Sequence, residues 1–98
     1  MDDTDAAKLQ NRIDYLNSSL QTLQSDVSLR EAQGQRKTRQ DYEGENEIYS
    51  ELADIYTKQY NREIEKAEAA PNDFLKRFHA TLAQGLQRSI NEQNIAIA

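Results

Sequence analysis

A chain of 98 residues, 37% of them hydrophobic, makes at most one small domain with a thin core. The absence of cysteine excludes disulfides and thiolate metal sites, and no apolar run approaches the roughly 20 residues that cross a bilayer. A net charge of −5 disfavours broad nucleic-acid binding. With Asp2, Asp3 and Asp5 where a secretory signal would be basic, it leads to the expectation of a soluble cytoplasmic protein without a membrane segment.

The first predicted element is a helix over about 4–32. Ala6, Leu9, Ile13, Leu16, Leu20, Leu23 and Val27 recur at alternating intervals of three and four residues, the a/d seam of a coiled coil. Such a seam must lie along a partner: a second copy, a later helix of the chain, or another protein. Asp3, Thr4 or Asp5 suits the start of this helix, as a side-chain acceptor and as a charge matched to its dipole. Flanking charges that would select a partner are sparse. Past Val27 the register reaches Arg30, Gly34 and Lys37, so the apolar seam ends near residue 30.

Residues 33–44 read as a loop, because Gly34 and Gly44 bracket a polar stretch without periodicity and each glycine costs about 1 kcal/mol inside a helix. The competing reading is one unbroken helix through this region. Arg30, Arg36, Lys37 and Arg39 form a short basic patch, followed by Asp41, Glu43, Glu45, Glu47, Glu51 and Asp54. The two patches are expected to attract each other at a bend.

A second helix is predicted over about 45–69. Ile48, Leu52 and Ile55 form one edge of its apolar face. Tyr49, Ala53, Tyr56, Tyr60 and Ile64 form the other, a width suited to packing between two neighbours. Gln59 and Glu63 fall inside that face and should be wet or paired. Pro71 ends the helix, and Asn72 or Asp73 caps a third over about 73–94. Its apolar arc holds Phe74, Leu75, Phe78, Leu82, Leu86 and Ile90, and the tail from residue 94 is apolar enough either to dock or to stay sticky.

The fold class is therefore all-α: one domain over 1–98, a three-helix hairpin or bundle with a coiled-coil-like first helix, completed by oligomerisation, with a dimer favoured. No catalytic or cofactor motif is present. His79 alone cannot make a zinc set, the acidic run lacks the spacing of an EF-hand loop, and no glycine-rich phosphate cradle occurs. No cofactor, no metal and no enzymatic activity are expected.

Two functions fit. The first is a protein-binding module (an adaptor, chaperone, assembly factor or inhibitor, a composition common in phage and secretion systems) acting through Leu9, Ile13, Leu16, Leu20, Leu23 and Val27. The second is an oligomeric binder of nucleic acid or a nucleotide, with Arg30, Arg36, Lys37 and Arg39 on phosphate and Tyr42 stacking.

Overall fold

The computed structural model describes residues 3–97, with side chains from residue 5 onward. Three helices account for nearly all of them: α1 (Asp3–Ala32), α2 (Arg39–Ala69) and α3 (Asp73–Ala96). The expected capping of α1 lies at the border of the described residues, and the end of the apolar tail, Ala98, lies outside them.

Helix α2 is the shared element. α1 packs antiparallel along it: Arg12 reaches Glu51, Gln24 reaches Tyr49 and Arg30 reaches Asp41. α3 folds back along α2 from the other end, where Glu63 meets His79. Among the described residues no Cα of α1 comes within 8 Å of a Cα of α3. The wide apolar face of α2 thus serves two neighbours, as its breadth predicts.

The core is small. Ile13 and Leu16 of α1 and Leu52 and Ile55 of α2 are buried together, with Leu9, Ile48 and Tyr56 packed around them. The heptad seam of α1 is therefore covered by a later helix of its own chain. Ile13, Leu16 and Val27 are fully buried, and Ala6, Leu9, Leu20 and Leu23 are half-buried.

The connection between α1 and α2 is shorter than the sequence suggests. Gly34 sits at a φ of 85°, in the left-handed region glycine enters without steric cost. The Gln35 N–H donates to the Arg30 carbonyl and the Gly34 N–H to that of Glu31, a Schellman stop for α1. α2 then begins at Arg39 rather than near residue 45. Thr38 and Asp41 form a reciprocal capping box, the Asp41 N–H donating to Thr38 Oγ1 and the Thr38 N–H to Asp41 Oδ2.

Gly44, expected in the loop, lies inside α2. A Cβ there would stand 3.3 Å from Leu23 Cδ2, so the missing side chain makes room for the α1 seam. That close approach outweighs its poor helix propensity. At the other end Asn72 Oδ1 accepts from the Leu75 N–H and caps α3. α3 continues to Ala96, two residues past the expected end.

Candidate functional site

Most of the charges at the loop are spent internally. Arg30 forks its guanidinium onto Asp41 at 2.9 and 2.5 Å while its Nε holds Asp26 at 3.0 Å. Lys37 Nζ donates to Glu45 at 2.8 Å, and Arg39 donates to Glu43 at 2.9 Å. The Glu45 carboxylate raises Lys37 above its ordinary pKa. Asp41 and Glu45 are themselves buried, so the Arg30–Asp41 and Lys37–Glu45 pairs are enclosed at the α1–α2 end, while Arg39 and Glu43 lie on the surface. The attraction between basic and acidic segments is realised, at residues more enclosed than a solvated bend would have. Of the four cations expected to hold phosphate, Arg36 has no carboxylate partner among the described residues. Tyr42 is exposed, with Lys37 Nζ 4.3 Å from its ring centre.

Asp41 carries a testable consequence. Arg30 chiefly, then the Thr38 N–H, hold its carboxyl well below the ordinary value, against the opposing effect of burial. The folded state therefore keeps this carboxylate ionised where the unfolded chain takes up a proton, near about pH 4. Below that point the unfolded state binds more protons, so the contribution fades as pH falls. Relative to Asp41→Asn, the native chain should show its full advantage at about pH 7 and a smaller one at about pH 3. Urea midpoints measured at both pH values check this. A gap that stays constant, or widens in acid, would show that the ion pair contributes nothing to the pH dependence.

The six seam residues expected to bind a partner, Leu9, Ile13, Leu16, Leu20, Leu23 and Val27, lie along α2 instead of an open face. The open apolar surface is on α3. Its inward side is carried by Ala83 and Ile90, with Leu75, His79 and Leu86 half-covered. Phe74, Phe78 and Leu82 stand on one flank, 75, 50 and 42% exposed. The sequence arc placed Phe74, Leu75, Phe78, Leu82, Leu86 and Ile90 in one packing face and left out Ala83. It spanned too much of the cylinder for a helix with a single neighbour to bury, and α1 is held away on α2.

Two depressions meet at Leu82. One, of about 360 Å³, lies between α2 and α3, with Gln59, Arg62 and Glu63 on one wall and Leu82, Gly85 and Leu86 on the other. The second, of about 370 Å³, runs on past Thr81 to Phe78, Arg77 and Phe74. A Cβ on Gly85 would meet nothing within 4 Å, so this wall is open.

Glu63 Oε2 accepts from His79 Nδ1 at 2.7 Å, in the tautomer that carries the proton there, and Glu63 lies 3.8 Å from Lys66. It is thereby paired, as its place on the apolar face requires. Phe78 packs edge-on against the same ring, at 5.2 Å between centres. The pair clamps α2 to α3 beneath the groove. Ile95, in the apolar tail, is 83% exposed.

These features define an all-α three-helix domain with one uncovered apolar flank. Compared with protein-family models, with curated proteins and with solved structures, the chain matches none. No helix among the described residues is long and apolar enough to cross a membrane.

Proposed function

We propose that the chain is a small non-enzymatic protein-binding module, of the adaptor, chaperone, assembly-factor or inhibitor kind, acting in the cytoplasm by packing helices against another polypeptide. The observation that carries this reading is the α3 flank. Scattered exposed apolar residues are ordinary on any surface. Phe74, Phe78 and Leu82 are not scattered: they occupy three successive turns of one helix and border a continuous depression. Because α2 closes the α1 seam, the expected contact surface moves from α1 to α3.

A photo-crosslinking amino acid placed at residue 78, with residue 35 as an exposed control in the loop, tests the reading in the cells that make the protein. Discrete polypeptide adducts are expected from position 78 and not from position 35. A folded protein that gives no adduct from position 78 would overturn it.

A further inference from the structure

Resting on that protein-binding reading, we propose that the groove between α2 and α3, with the α3 flank that adjoins it, receives one acidic amphipathic helix of a different protein. The α2 residues under α1 follow a heptad row of their own: Asp41, Glu45, Ile48, Leu52 and Ile55. Gln59 and Arg62 continue that row by one and two further turns, and they line the groove wall. The antiparallel register puts Arg12 at Glu51 and Leu9 beside the Leu52–Ile55 cluster. Leu9 lies in the second turn of α1, and α2 runs on past this contact to Ala69. Leu82, Gly85 and Leu86 form the groove's α3 wall, and the second depression carries on from Leu82 along α3 to Phe78 and Phe74.

From Phe74 to Leu86 the two depressions together follow about 18 Å of α3, room for a little over three turns of an incoming helix. Apolar residues on one face would seat against the two phenylalanines and Leu82, the helix-in-groove mode of recognition.

Charge selects the occupant. Arg62 borders the groove on α2, and Arg77 borders the adjoining depression on α3. Neither holds an ion pair among the described residues. Glu63, the carboxylate on the groove wall, is engaged by His79. In a chain of net charge −5 this rim is locally cationic. A two-fold interface between copies would set the same rim against itself and bring these arginines together, a like-charge arrangement that disfavours self-pairing. A helix with Glu or Asp beside its apolar stripe meets the rim with opposite charge.

The test uses the full chain and a synthetic helical peptide of about 14 residues, with leucines at heptad spacing and glutamates flanking them. Its twin carries lysine in place of every glutamate. The glutamate peptide is expected to bind at least tenfold tighter than the lysine twin. Affinity should fall at least tenfold in Arg77→Glu and in Arg62→Glu/Arg77→Glu, and also in Phe78→Ser, with circular dichroism and thermal midpoint preserved as the folding control.

Equal binding of the two peptides, or no binding of either, would overturn the proposal. So would binding to phosphatidylserine-containing vesicles in place of the peptide, which would assign the flank to a membrane surface. A concentration-dependent dimer lost in Phe78→Ser would assign it to a second copy. That outcome removes this inference and leaves the protein-binding reading standing, whereas silence of the crosslinker at position 78 removes both.

Discussion

Leu16→Asp is expected to strip α1 from α2 and unfold the first helix at room temperature, leaving the rest of the chain close to its unfolding threshold. Leu16 is 3% exposed and sits in the cluster with Ile13, Leu52 and Ile55. Removing a buried leucine costs about 2–5 kcal/mol through lost transfer energy and cavity formation. A carboxylate placed there, without a cation in the cluster, adds a penalty of several kcal/mol before the group protonates or the helix swings out. The sum rivals the roughly 5–15 kcal/mol that stabilises an ordinary domain, and this core is smaller than most.

The loss should have a spatial signature, because α1 is held by α2 and its backbone stays clear of α3. Hydrogen exchange of the variant should show α1 amides unprotected first, with the α2–α3 hairpin losing less. Asn17→Asp, one residue away on the exposed face, should stay within about 0.5 kcal/mol of the native chain. A Leu16→Asp protein with native helix content and a native midpoint would mean that the α1 seam is not what fastens the first helix.

How much of this was legible in the sequence depends on which interactions are periodic. Heptad spacing located α1 and its buried face, Pro71 with Asn72 located the α2–α3 turn, and the broad face of α2 implied two neighbours. The start of α2 was hidden by two local effects. Thr38 and Asp41 form a capping box with Asp where Glu or Gln is usual, and Gly44 resembles a helix breaker until Leu23 is seen packed on it.

The intended binding surface was hidden for another reason. A seam states that it needs cover without naming what supplies it, and here the cover is Ile48, Leu52 and Ile55 of the same chain. α3 shows the reverse case. Its arc announced more apolar surface than one neighbour can bury, and only the placement of α1 decides that Phe74 and Phe78 are the residues left out. The paired charges of the loop were legible as opposite blocks. Their burial was not, since it depends on how tightly the Gly34 turn closes.

Leu52→Ala should be among the most damaging truncations in α2, at about 2–5 kcal/mol. Leu52 is 1% exposed, the most fully buried large side chain among the described residues. Alanine keeps the best helix propensity, so the cost comes from packing alone. Leu29→Ala provides the internal control, the same substitution within a helix at a side chain that is 66% exposed. Its expected cost is within about 0.5 kcal/mol. Chemical denaturation of both variants beside the native chain measures the difference.

Leu16→Ala/Leu52→Ala should be non-additive, since the two side chains share one cluster and a shared cavity couples neighbours by about 0.5–3 kcal/mol. If Leu29→Ala cost as much as Leu52→Ala, the outer face of α1 would itself be covered in solution. A second copy would then supply that cover, and the seam between α1 and α2 would no longer be the whole of what this chain must bury.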